Sequence, residues 1–154
     1  MGGIRAEVKF NALSGCEVAT ASDVTGAACT SISRATTGEH SDNTVTEEFV
    51  LNSDSSLESS DADGIPDDLQ EIFTYGSRRA YRFTRSRDRN CPCDRIEQYD
   101  CPILDVYSRD GSLVVAFHAS DTEQLREILT DLNDRNAGMS VHRLIRSEEN
   151  RGDQ

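Results

Sequence analysis

The sequence predicts an α+β fold, an antiparallel sheet with helices on one face, whose second half runs in the ferredoxin-like order βαββαβ. Three observations predict it. Several short segments alternate apolar with polar side chains, the period of a half-buried strand. Asp110-Gly111 lies between two such segments, and both residues tolerate the positive φ of a two-residue hairpin turn. One later segment carries apolar residues at helical spacing between a capping signal and a glycine stop.

Taken in order, residues 3–10 place Ile4, Ala6, Val8 and Phe10 on one strand face. Residues 16–24 are ambiguous and fit a short helix. Residues 28–35 and 45–51 are strands, the second carried by Val45, Phe49, Val50 and Leu51, with a polar turn from Thr36 to Asn43 between them. Ser and Asp dominate residues 52–68, with Gly64 and Pro66, so this segment reads as a flexible acidic loop inside a single domain of residues 1–147. Arg79–Thr84 is a strand with Tyr81 and Phe83 on one side, and Asp94–Tyr99 a short helix. Ile103–Ser108 and Ser112–Ala119 flank the hairpin turn, with Leu113, Val115 and Phe117 on one face. Ser120 is the expected cap of the next helix, and Glu123 completes a capping box. Leu125, Ile128, Leu129 and Leu132 form its apolar stripe. Gly138 is expected to stop that helix in the left-handed conformation. Met139–Ile145 is the last strand, and residues 148–154 are a polar tail.

Composition narrows the setting. Aromatic residues are 6% of the 154, with no Trp, so Leu, Ile, Val and Ala must fill the core. Twenty-eight acidic against sixteen basic residues give a net charge of −12, and Lys9 is the one lysine. An acidic, lysine-poor surface holds water where salt screens charge within a few ångströms, which points to a salt-loving archaeon. The alternative is an ordinary acidic protein that uses Arg for Lys. No apolar run is long enough to cross a membrane, and no signal-peptide core follows Met1. Five cysteines, an odd number, do not suggest a secreted disulfide framework, so a cytoplasmic chain with reduced thiols is expected.

Four groups of residues invite a chemical reading. Cys91-Pro92-Cys93 and Cys101 form the densest, with Cys16 placed to join them through the fold. Four thiolates make a tetrahedral zinc site, paired thiols sense oxidants, and buried cysteines simply pack; all three readings stay open. Cys29 reads as core, and His118 is an alternative fourth ligand. Arg78, Arg79, Arg82 and Arg85 offer contacts to an anion or a partner, against the simpler reading that neighbouring carboxylates pair with them. Asp61, Asp63 and Asp67 around Gly64 resemble an Asp-x-Asp-Gly-Ile-Pro-Asp calcium loop, against a plain acidic loop. The chain shows no nucleophile elbow, P-loop, His-Glu-x-x-His or dinucleotide fingerprint, so it is expected not to be an enzyme, and no catalytic residue is singled out.

Two sets of segments occur together. The first is Gly3-Ile4-Arg5-Ala6-Glu7, Cys16-Glu17-Val18-Ala19 and Thr46-Glu47-Glu48-Phe49. The second is Cys91-Pro92-Cys93-Asp94-Arg95-Ile96-Glu97, Cys101-Pro102-Ile103, Asp110-Gly111-Ser112-Leu113 and Phe117-His118-Ala119. Together they resemble the N-terminal domain of haloarchaeal helix-turn-helix regulators related to the bacterio-opsin activator, over about residues 3 to 147. The resemblance implies a regulatory, sensor or dimerisation domain of a transcription regulator. It maps the family's cysteines onto Cys16, Cys91, Cys93 and Cys101. No helix-turn-helix follows Arg146, so direct DNA binding is not expected. A protein partner or a homo-oligomer is. The alternative function is a stand-alone interaction module that modulates full-length regulators.

Overall fold

The computed structural model describes residues 3–11, 16–36, 44–53, 57, 65–86, 91–136 and 138–148. Among the described residues, eight strands and three helices follow one another: β1 (Ile4–Phe10), α1 (Glu17–Thr25), β2 (Cys29–Thr36), β3 (Thr44–Asn52), β4 (Gln70–Tyr75), β5 (Arg78–Ser86), α2 (Pro92–Glu97), β6 (Ile103–Arg109), β7 (Ser112–Ala119), α3 (Thr122–Arg135) and β8 (Met139–Arg146). The strands form one antiparallel sheet in the order β4-β5-β3-β2-β6-β7-β1-β8. The architecture is α+β, as the alternation predicts.

Alternation sets the two faces of this sheet. Ile4, Ala6, Val8 and Phe10 of β1 pair with Ala119, Phe117, Val115 and Leu113 of β7, and all eight side chains are buried. Leu125, Ile128 and Leu132 of α3 and Val18 and Ala21 of α1 complete this core. Burying an aliphatic side chain of this size contributes about 1.5–3 kcal/mol, so the stripe of α3 is a main anchor of the sheet. Across β1, the other face carries Arg5, Glu7 and Lys9 beside His118, Ala116 and Val114.

The second half does not close on itself in the ferredoxin-like order. β5 lies beside β3 and β4, and β1 inserts between β7 and β8. The βαββαβ succession is instead β1-α1-β6-β7-α3-β8, with β2 to β5 and α2 inserted between α1 and β6. Pairing β1 to both β7 and β8 buries the apolar face of the N-terminal strand, which a self-contained second half would leave uncovered.

Three local expectations also change. The cap of α3 is Asp121, whose carboxylate accepts the Gln124 amide at 2.8 Å. Ser120 lies one residue earlier, its amide and hydroxyl both donating to Gln124 Oε1. The stop of α3 is extended Asn136, and Gly138 serves a close approach instead. A Cβ on Gly138 would lie 2.5 Å from the Asn11 carbonyl oxygen. In the acidic segment, Leu57 is buried and its amide donates to the Tyr81 hydroxyl at 2.8 Å. Soon after it comes β4, a strand the sequence pattern does not announce. The hairpin turn is as predicted, with φ of 53° at Asp110 and 85° at Gly111.

Candidate functional site

Charge enters the core face on three neighbouring strands. β3 turns Val45, Glu47, Phe49 and Leu51 inward, and β5 turns Tyr81, Phe83 and Arg85 inward. Arg34 on β2 stands opposite Glu47. Arg34 donates to Glu47 Oε2 at 2.9 Å, to Asp94 Oδ1, and to Glu97 Oε1 at 3.0 Å. Arg85 donates to Glu47 Oε2 at 2.6 Å and to Asp94 Oδ2 at 2.8 Å. The side chains of Arg85, Glu47 and Asp94 are 5%, 7% and 3% exposed, so this is a core network and not a surface pair. Buried ions persist only where hydrogen bonds replace lost water, and here Glu47 and Asp94 each accept from both guanidinium groups. Burial pushes the Asp94 carboxyl up, but Arg85 and Arg34 outweigh it and hold the group below the usual carboxylate range.

Cys91 and Cys93, at the start of α2 beside Asp94, stand against this network. Cys91 has extended backbone, and Pro92 with its fixed φ opens α2 immediately after it. That geometry sets Arg85 Nη2 3.4 Å from the Cys91 sulfur. A hydrogen bond from Cys93, then the charge of Arg85, overcome burial and bring the Cys91 thiol down to about 7. The same hydrogen bond, with burial, pushes Cys93 up. Cys16 precedes α1 within electrostatic reach of Cys91, and burial pushes its thiol up to about 12. Cys29 is also pushed up to about 12 by burial, and its thiol donates to the Val18 carbonyl at 3.6 Å. Cys93 and Arg85 thus push Cys91 down, while burial pushes Cys16 up and the shared hydrogen bond, with burial, pushes Cys93 up as well. Thiolate is the nucleophilic and metal-binding form of cysteine.

Cys101 lies at the other end of α2. Its thiol donates to the Tyr99 carbonyl at 3.7 Å, burial raises it, and it lines a separate cleft with His118. The structure therefore sets Cys91 and Cys93 together at the start of α2, with Cys16 within electrostatic reach of Cys91, and places Cys101 with His118 in a separate cleft. Among the described residues no set of three or more His, Cys, Asp or Glu side chains is arranged to hold a metal ion.

The basic run divides by strand phase. Arg85 belongs to the network, Arg79 pairs with Glu71 at 2.9 Å, Arg82 pairs with Glu48 at 2.5 Å, and Arg78 is exposed. Of the calcium candidates, Asp61 and Asp63 lie outside the described residues, and Asp67 is exposed. Arg34, Glu47, Asp94 and Glu97 are the members of the site that sequence reasoning missed, and the first two carry a signal. Their signal is a charged residue at an inward position of an otherwise apolar alternation.

A second ion cluster fixes the helices. Asp131 on α3 accepts from Arg95 Nη2 and the Tyr99 hydroxyl, each at 2.7 Å, and from Arg135 Nε at 2.8 Å. It ties α2, and with it Cys91 and Cys93, to α3. Among the described residues no helix is long and apolar enough to cross a membrane.

Comparison with known proteins places these features in a family. The family described as "DmsR, N-terminal domain-like" matches residues 1–147. The transcriptional regulator NarO of Haloferax volcanii is 31% identical over 148 residues, which cover 95% of this chain and 64% of NarO. The chain thus spans less than two thirds of that relative's length. With almost its whole length matched, the chain belongs to the DmsR N-terminal domain-like family.

Proposed function

We propose that this chain is the regulatory domain of a haloarchaeal transcription regulator, and that the thiols of Cys16, Cys91 and Cys93 are its input. One observation carries the reading: the Cys91 sulfur lies 3.4 Å from Arg85 Nη2, directly on the network that joins β2, β3, β5 and α2, a setting that favours the thiolate. The family membership and the likeness to a transcriptional regulator support the regulatory role. The chemistry is thiol oxidation. Cys91 thiolate attacks a peroxide, the O–O bond breaks, the released hydroxide takes up a proton, and a sulfenic acid forms. A neighbouring thiol, Cys16 or Cys93, then displaces that oxygen as water and leaves a disulfide. Two electrons pass from two thiols to one peroxide. The thiolate loses its charge, and Arg85 loses an anionic neighbour, which alters the balance of the network.

Site-resolved alkylation tests this. Cys91 should label first, with half-maximal rate near pH 7, and equimolar hydrogen peroxide should remove that reactivity and the mass of two hydrogens from the protein. Oxidation should also change the assembly state on size-exclusion chromatography in concentrated salt. Uniform labelling that rises only in the ordinary thiol range, or oxidation with no structural consequence, overturns the reading. Stoichiometric zinc in protein purified without chelator would replace oxidation with metal loading at these thiols.

A stand-alone interaction module is the second reading, favoured by exposed apolar side chains on both edge strands. These are Ile72, Phe73 and Tyr75 on β4 and Val141, Leu144 and Ile145 on β8. An open edge with apolar side chains is a template for pairing with another strand. Sedimentation showing a strict monomer that binds no regulator counts against it.

A further inference from the structure

The uncovered face of the sheet ends in a cleft of about 730 Å³ at the junction of β8, β1 and β7. Its floor is a row fixed by register: Ile145 of β8, Arg5 of β1 and His118 of β7 stand side by side. Arg146 and Asp100 flank the row. Among the described residues, Arg146 and His118 have no side-chain hydrogen bond or ion pair, and Arg5 has one contact, Glu7 at 3.6 Å. Two guanidinium groups thus face a single lining carboxylate in a chain of net charge −12. The arginines that brace this fold, Arg34, Arg85 and Arg95, are by contrast held closely by carboxylates.

We propose that this cleft binds a small organic anion, a carboxylate or phosphate, through Arg5 and Arg146, with His118 as a further hydrogen-bonding group and Ile145 as apolar floor. The guanidinium fork matches both anions bidentately. A cleft of ~300–1,000 Å³ suits a small-molecule ligand. The acidic surface repels anions at long range, but in molar salt that field is screened within about 3 Å, so short hydrogen-bonded contacts decide recognition. Asp100 opposes the ligand from the rim. Its backbone φ of 62° suits Asn equally, so its charge is removable without a change of shape.

Titration calorimetry of the full chain at constant ionic strength in potassium chloride tests the site, with succinate and glycerol 3-phosphate as probes. Saturable binding of one of them is expected. The Arg5→Gln/Arg146→Gln pair should weaken it by about tenfold or more, and Asp100→Asn should tighten it. The tighter probe assigns the source chemistry, carboxylate or phosphate. Circular dichroism confirms that each variant is folded, and Arg78→Gln, on a distant strand, should bind as wild type. Absence of saturable heat with either probe up to about 10 mM overturns the proposal. So does binding that persists in the double variant, or an Asp100→Asn change of the opposite sign.

Discussion

Arg85→Met removes one guanidinium from the buried network while keeping side-chain length. The wild-type side chain donates to Glu47 and Asp94 at 2.6 and 2.8 Å and is 5% exposed. Breaking a buried ion pair on one side costs about 3–5 kcal/mol, because the partner charge stays buried. Arg34 still serves Glu47 and Asp94, so the expected loss is at the low end, about 3 kcal/mol. For a domain of this size that corresponds to a fall in Tm of about 6–12 °C. Thermal unfolding followed by circular dichroism in low and in multimolar potassium chloride is the assay. Water and salt do not reach the wild-type pair, so the loss should be the same in both. Arg82→Gln, which breaks the surface pair with Glu48, should change stability by less than about 1 kcal/mol, and less still in high salt. The linkage has a definite sign. Asp94 is depressed in the folded state, so its contribution is present above the unfolded carboxyl value and lost as pH falls through the folded one. Arg85→Met should shrink that acid-side loss, and it should move Cys91 ionisation upward. A loss below about 1 kcal/mol, or one that vanishes in salt, refutes the view that this network is a buried structural element.

Other perturbations follow from particular contacts. Ile128→Ala empties a fully buried position under α3 and should cost about 2–5 kcal/mol by chemical denaturation. Gly138→Ala sets a methyl against the Asn11 carbonyl oxygen at 2.5 Å and should cost about 1–3 kcal/mol; a neutral result would show that the junction of β1 and β8 relaxes freely. Asp121→Ala should cost about 1 kcal/mol and Ser120→Ala much less, which separates the observed cap from the one the sequence suggests. Asp131→Asn should loosen α2 from α3. In wild type the Asp131 carboxyl is pushed up by burial, yet Arg95, Tyr99 and Arg135 bring it down to about 2, so its contribution is fully present above about pH 4 and lost as pH falls toward 2. Acid titration of Asp131→Asn should lack that loss.

The strand phase of Ile4, Ala6, Val8 and Phe10, the hairpin at Asp110-Gly111 and the stripe Leu125, Ile128, Leu132 were all legible, because each is set by neighbours within a few residues. The missed strand β4 shows the limit: it is an edge strand, mostly exposed, and carries no alternation to read. The site was half legible. The thiols at 91 and 93 announce themselves by spacing, and Glu47 and Arg85 break the apolar phase of their strands. Their meeting with Arg34 depends on β2, β3 and β5 lying side by side, which no local pattern encodes.

By itself, the sequence determined the acidic, lysine-poor surface, the element types and the apolar faces, since these depend on composition and on periods of two and 3.6 residues. Only the tertiary structure decided that β1 sits between β7 and β8, and that Cys91 meets Arg85 while Cys101 lines a cleft with His118. The reason is physical. Strand order and the meeting of distant side chains follow from burying every apolar face at once, a property of the whole chain and not of any segment.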